Sequence, residues 1–146
     1  MNQTNLSQNK TTKIKLDFKD SKYATGRRKR SIAKVWLKKG SGNIHVNGLK
    51  MNEYFKRPVH QIAVERPLTI TKSKDIYDIV ATVKGGGMSG QAGAVTHGIS
   101  KALVVTSPDT RKIVKKNKML TRDSRTVERK KPGQRKARRK FQFSKR

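Results

Sequence analysis

Three glycines stand where they could hold a phosphate. Gly85-x-Gly87-x-x-Gly90 follows a strand-like stretch and opens a helix-like one. Asp109 lies 19 residues beyond Gly90, close to the offset of a ribose-binding acid. Taken alone, this is a dinucleotide-binding fingerprint. Room and charge exclude it. A doubly wound domain needs several further hydrophobic strands after the motif. Only 37 residues follow Asp109, and most of those beyond Leu120 are polar or charged. Asp109 fits better at the start of a helix, where a carboxylate favours the dipole. Two readings of Gly85, Gly86 and Gly87 remain. One is a sharp strand-to-helix turn. The other is a set of bare N–H groups at a helix N-terminus that holds an RNA phosphate.

No other constellation supports catalysis. The GxxxxGK[ST] pattern is absent. His45, His60 and His97 are scattered and lack HExxH spacing, so each is read as a surface or packing residue. Glu53, Glu65 and Glu128 show no pairing for general acid/base work. Ser31 and Ser89 have no visible base. There is no Cys, which excludes disulfides and Cys-ligated zinc. The expectation is no enzyme, no cofactor, no metal and no small-molecule substrate.

The cations carry the signal. Among 146 residues, 37 Lys and Arg face 9 Asp and Glu, a formal charge of +28. A chain so charged repels itself unless a polyanion neutralises it. No apolar run approaches the roughly 20 residues that span a bilayer, so no membrane partner is expected. Nucleic acid remains. Arg27, Arg28, Lys29 and Arg30 stand just before what the pattern gives as the first strand. Arg122, Arg125, Arg129, Lys130 and Lys131 follow the last helix. Arg135, Lys136, Arg138, Arg139, Lys140, Lys145 and Arg146 fill the tail. Residues 129–146 hold ten Lys or Arg and no acid. One such run is ordinarily a solvated face or a localisation signal. Three runs flanking one small core with few acids point to phosphate binding. Phe141 and Phe143 can stack on bases amid the charge. If about eight tail cations each meet a phosphate, affinity falls by several decades between low and moderate salt. A long cationic filament suits a crevice in folded RNA, and no zinc module, leucine zipper or clean helix-turn-helix points to DNA.

The elements that must position these cations lie between residues 32 and 120, where the apolar residues concentrate. Ala33, Val35 and Leu37 alternate with polar neighbours over residues 31–38, the period of a half-buried strand. A glycine turn at residues 40–42 leads to a second strand at 43–46, and the pair predicts a β-hairpin. Asn47-Gly48 predicts another turn. A helical turn is expected at 52–55, a helix at 60–65 ended by Pro67, and a third strand around Leu68 and Ile70. Residues 76–84 form the clearest strand, with Tyr77, Ile79, Ala81 and Val83 on one face. Ala92, Val95, Ile99, Ala102 and Leu103 then recur at helical spacing. Ser107 is expected to cap a last helix, with Pro108 in its first turn. The fold class is α/β (α+β), a two-layer sandwich with a long extended basic C-terminal tail. Three regions follow: a polar extension at 1–22, expected to be disordered; a core domain at 23–120; and an exposed, charged tail at 121–146.

At these residues the sequence resembles a known family. Thr25-Gly26-Arg27-Arg28-Lys29 before Ser31-Ile32-Ala33, then Val46-Asn47-Gly48 and Glu53-Tyr54-Phe55, is similar to the S-nine family of small-subunit ribosomal proteins, of bacterial or mitochondrial type. So are Val83-Lys84-Gly85-Gly86-Gly87-Met88-Ser89-Gly90-Gln91-Ala92, Leu120-Thr121-Arg122-Asp123-Ser124-Arg125, Val127-Glu128-Arg129-Lys130-Lys131 and the terminal Gln142-Phe143-Ser144-Lys145-Arg146. Pro132 departs from the pattern, where many members carry Tyr. The resemblance implies a domain like the second domain of ribosomal protein S-five. It also implies a place in the head of the small subunit on the 3′ major domain of small-subunit rRNA, beside neighbouring head proteins. The tail would thread rRNA toward P-site tRNA, which Ser144, Lys145 and Arg146 would contact. The ribosome would be that of a bacterial cytoplasm or a mitochondrial matrix. With no clear presequence, a mitochondrial protein would be organelle-encoded.

Two rivals have distinct signatures. A free nucleic-acid chaperone shares the charge but does not need the ordered motif at residues 120–131. A cofactor enzyme needs the glycine run to bind a nucleotide.

Overall fold

The computed structural model describes residues 20–145. Nine elements follow in order: β1 (Lys22–Arg28), β2 (Ser31–Lys39), β3 (Ile44–Val46), β4 (Leu49–Lys50), α1 (Met51–Tyr54), α2 (Pro58–Ile70), β5 (Tyr77–Lys84), α3 (Met88–Thr106) and α4 (Thr110–Lys116). They form one five-stranded sheet, ordered β1-β2-β5-β3-β4, with helices against it.

The cleanest alternation takes the centre of the sheet. In β5, Tyr77, Ile79, Ala81 and Val83 are buried while Thr82 and Lys84 are exposed. In β2, Ser31, Ala33, Val35 and Leu37 are buried opposite the exposed Ile32, Lys34 and Lys38. The 19-residue α3 lies across β1 and β2, and it buries Ala92, Val95, Ile99, Ala102 and Leu103, the stripe read from the sequence. Phe55, directly after α1, and Val64 and Leu68 of α2 complete the core. Burying a side chain of this size contributes about 1.5–3 kcal/mol, so the core accounts for a fold despite the low apolar content.

Four expectations are corrected. First, β2 and β3 do not form a hairpin. β5 inserts between them, antiparallel to β2 at Leu37–Ile79 and parallel to β3 at Ile44–Ile79. The intervening turn is held by β5 itself. The Asp78 carboxylate accepts bonds from the backbone N–H groups of Ser41 (3.0 Å) and Asn43 (2.8 Å).

Second, Arg27 and Arg28 do not precede the first strand. They end β1, an extra strand paired with β2 from Lys22–Leu37 to Arg28–Ser31. Its inward positions are Ala24, Gly26 and Arg28, too small or too charged to look like a strand. A Cβ at Gly26 would overlap the Ala94 carbonyl and the Gly98 nitrogen, so the glycine lets α3 lie directly on β1.

Third, Leu68 and Ile70 belong to α2, which runs through Pro67. Proline has no N–H to give the carbonyl four residues back. That carbonyl, on Ala63, instead lies 2.8 Å from Thr96 Oγ1 on α3. The bond from a neighbouring helix removes the main reason for α2 to stop.

Fourth, Ser107 does not cap α4 with its side chain. The N-cap is Asp109, with no side-chain cap bond, and Pro108 lies outside the helix. Ser107 contributes its carbonyl oxygen, which accepts from Thr110 N–H (3.1 Å) and Thr110 Oγ1 (2.6 Å).

The Asn47-Gly48 turn forms as expected, with both residues at positive φ (51° and 85°) between Val46 and Leu49. Residues 1–19, most of the expected N-terminal extension, lie outside the described residues, and Lys22 already belongs to β1.

Candidate nucleic-acid interface

The fold brings the first basic cluster and the glycine run to one end of the sheet. Lys29 and Arg30 are the two residues that turn β1 into β2. Lys29 adopts the left-handed conformation (φ 50°), which is uncommon for a side chain of its size. The glycine run follows β5, the other partner of β2. Gly85 and Gly86 both have positive φ (74° and 65°), and a Cβ at Gly85 would sit 2.7 Å from the Arg30 carbonyl. Ser31 Oγ donates to the Gly85 carbonyl at 3.0 Å. Two conformational needs and one steric need therefore require glycine here without a cofactor.

A polar chain fixes the far side of this loop. Gln91 Nε2 donates to the same Gly85 carbonyl (3.2 Å), Tyr54 Oη donates to Gln91 Oε1 (2.8 Å), and Asn47 bridges Tyr54 and Val83. Gly87 is the N-cap of α3, with open space around it. The sharp strand-to-helix turn is thus what the glycines build. The parallel strands and crossovers of a dinucleotide-binding domain are not present among the described residues, where β3–β5 is the one parallel pair.

The second basic cluster is tied to the first. Asp123 forms an ion pair with Arg28 of β1. It also takes Arg125 in a fork, with Nε at 3.1 Å and NH2 at 2.8 Å, and accepts the Arg125 N–H at 2.9 Å. The Arg125 bonds, with Arg28 behind them, hold its carboxyl well below the usual carboxylate range. Three residues earlier, the Leu120 carbonyl lies 3.1 Å from His97 Nε2, and His97 Nδ1 accepts the Arg27 N–H at 3.2 Å. This pattern requires neutral His97 with its proton on Nε2. Burial pushes its pKa below the ordinary value, and the positive charges of Lys101 and Arg122 act in the same direction. His97, read from sequence as a surface or packing residue, joins β1, α3 and the root of the tail.

Beyond this root the tail forms no helix or strand through residue 145. It folds back once. Glu128 takes Arg138 in a fork (2.7 and 3.0 Å), Arg135 N–H donates to the Arg139 carbonyl (2.9 Å), and the Arg135 guanidinium sits 5.6 Å from the Phe141 ring centre. Arg122, Arg129, Lys130, Lys131, Lys136, Arg139, Lys140 and Lys145 are all exposed and make no ion pair among the described residues. Phe143 is 86% exposed, an orientation no core explains. Ser144 and Lys145 lie at the exposed end, and Arg146 falls outside the described residues. Arg125 and Arg138 are already paired with acids.

Sequence reasoning gave no role to Asp123 or His97. The one available signal was an acid, Asp123, set inside an otherwise basic run.

An open groove of about 580 Å³ separates α2, α3 and the tail root, lined by Arg28, Arg66, Lys118 and Arg122 among others. Its lining also includes His60, Ser89 and His97, and both ring nitrogens of His97 are engaged. Among the described residues, no group of His, Asp and Glu could hold a metal ion, and no helix is long and apolar enough to cross a membrane.

The chain thus combines a mixed α+β domain, a cationic turn beside a glycine loop, and an exposed basic tail rooted on that same end. The family model described as ribosomal protein S9/S16 matches residues 26–146, and the chain belongs to that family. It is a structural protein of the small ribosomal subunit, acts in translation within the ribosome, and binds rRNA and ribosomal neighbours.

Proposed function

We propose that the core docks on the 3′ major (head) domain of small-subunit rRNA and that the tail neutralises buried phosphates as the head assembles. Ser144, Lys145 and Arg146 then contact the backbone of P-site tRNA. The core is read as a domain like the second domain of ribosomal protein S-five, and the chain sits beside neighbouring head proteins.

The observation that carries this reading is the exposed tail of residues 124–145, anchored at one point by Asp123 and Leu120 to β1 and α3. An anchored root gives the filament a fixed starting direction, while its cations stay available for phosphates. Arg27, Arg28, Lys29, Arg30, Gly85, Gly86 and Gly87 form the end of the core that would face rRNA. Arg28 serves partly as the anchor.

Deleting residues 144–146 tests the terminal role. Purified mutant subunits should incorporate the protein normally and lose P-site tRNA faster. Unchanged tRNA retention would remove tRNA from this reading and leave rRNA binding in place.

A further inference from the structure

Glycine allows the turn at Gly85 and Gly86 but does not specify it. Without a Cβ, each residue reaches negative φ as readily as the observed 74° and 65°. The peptide that joins them is therefore free to turn over unless something outside the loop holds it.

Two side chains hold it. Ser31 Oγ (3.0 Å) and Gln91 Nε2 (3.2 Å) both donate to the Gly85 carbonyl, one from β2 and one from α3. In a planar trans peptide the C=O and the N–H point in opposite directions. A carbonyl drawn toward β2 and α3 thus turns the Gly86 N–H away from them. Gly86 is exposed, and its N–H has no hydrogen-bond partner among the described residues.

Gln91 is held in turn, and the order of its bonds is forced. The Val83 N–H can only donate, so it takes Asn47 Oδ1 (2.8 Å). The Asn47 Nδ2 group then donates to the Val83 carbonyl (3.1 Å) and to Tyr54 Oη (3.2 Å). The Tyr54 hydroxyl passes its own proton to Gln91 Oε1 (2.8 Å), which leaves Gln91 Nε2 for the Gly85 carbonyl. The bonds run one way, from β5 through α1 to the glycine loop. A chain in which each member is satisfied is stronger and stiffer than its separate bonds.

We propose that Asn47, Tyr54 and Gln91 are positioning residues for RNA binding: they hold the Gly85–Gly86 peptide so that the Gly86 N–H meets a backbone phosphate oxygen. The inference rests on the rRNA reading of this end of the core. None of the three is a cation, and they act through the loop. The Lys29–Arg30 turn supplies charge at this end, and the aimed N–H supplies direction.

The full chain is titrated with a transcript of the 3′ major domain of small-subunit rRNA and with an unrelated RNA of equal length. Tyr54→Phe removes one hydroxyl and keeps the ring. Gln91→Met removes the clamp itself and serves should Tyr54→Phe misfold. Each should weaken binding to the transcript by about tenfold, the weight of one hydrogen bond to a charged group. The slope of log affinity against log salt should stay the same, because no cation is lost. The double variant should bind no more weakly than Gln91→Met, since both changes release the same peptide. Amide exchange at residues 85–87 should slow severalfold when the transcript binds the normal chain, and much less in either variant. Thr96→Val, which lowers stability away from the loop, should bind normally.

Normal affinity and normal exchange protection in both variants would overturn the proposal and leave the rRNA reading intact. An equal loss of affinity in Thr96→Val would overturn it too, because the chain would then serve stability alone. A normal chain with no preference for the transcript over the unrelated RNA would overturn the rRNA reading and this inference with it.

Discussion

Asp123 and Arg28 form an ion pair that joins the root of the tail to the last residue of β1. Ninety-five positions separate them in the sequence. The same carboxylate also holds Arg125, so one acid organises two of the three basic clusters. An acid in a nucleic-acid-binding region is normally a cost to affinity. Here it sets where the filament leaves the core.

Asp123→Asn should therefore free the root without weakening RNA binding. Trypsin should cleave after Arg122 and Arg125 severalfold faster in the isolated variant, while affinity for RNA stays level or rises, since a negative charge is lost. The tether also has a predictable pH range. The folded-state pKa is depressed, so the contribution is present above the unfolded value of about 4 and is lost as pH falls through the folded one. Proteolysis of the root in the normal chain should thus be insensitive to pH between neutrality and about pH 5. An unchanged cleavage rate in Asp123→Asn would show that the ion pair does not hold the root.

His97 gives a dependence of the same sign in a higher pH range. Its pKa is lowered in the fold, so the unfolded chain binds the proton more readily as pH falls through 6.5, the ordinary value. Stability is full above that value and declines below it. Protonation would also break the Arg27 N–H to Nδ1 bond. Denaturant midpoints taken at pH 7.5 and 5.5 in moderate salt should fall for the normal chain and change less for His97→Gln. Equal falls in both would place the titration elsewhere.

Thr96 and Pro67 should be coupled. Thr96→Val strands the Ala63 carbonyl that Pro67 cannot serve, at a cost of about 1–3 kcal/mol. Pro67→Ala restores an N–H within reach of that carbonyl, so Thr96→Val should cost less in that background. A double-mutant cycle by chemical denaturation measures the difference. Strict additivity would mean that the Thr96 hydroxyl matters only within α3, where it also lies 2.9 Å from the Ala92 carbonyl.

The tail cations should appear in the salt dependence of RNA binding. Each phosphate contact on a single strand contributes about 0.7 to the slope of log K against log salt. Changing Arg135, Lys136, Arg139 and Lys140 to Gln should lower that slope by up to about 3. A slope that does not change would mean these side chains meet no phosphates.

The sequence showed what was locally periodic. β5, the α3 stripe and the Asn47-Gly48 turn were legible because each carries its own pattern. β1 was not, because Ala24, Gly26 and Arg28 give no apolar alternation and the strand exists by pairing with β2. The extent of α2 was hidden for a similar reason: a proline signals a stop, and the bond that cancels the signal comes from Thr96 on another helix. The placing of β5 between β2 and β3 is a tertiary choice that a local hairpin pattern cannot reveal. At the site, the cations were legible by type, and the glycine run was legible as a turn. What was not legible was which end of the sheet gathers them, and that Asp123 and His97 tie them together. Those facts live in contacts between residues far apart in the chain.

The most direct test of the central claim is ultraviolet crosslinking in cells, followed by sequencing of the attached RNA. The account predicts crosslinks concentrated in the 3′ domain of small-subunit rRNA, with a minor signal at tRNA anticodon stems. Crosslinks scattered over messenger and other transcripts, without enrichment in that domain, would contradict it.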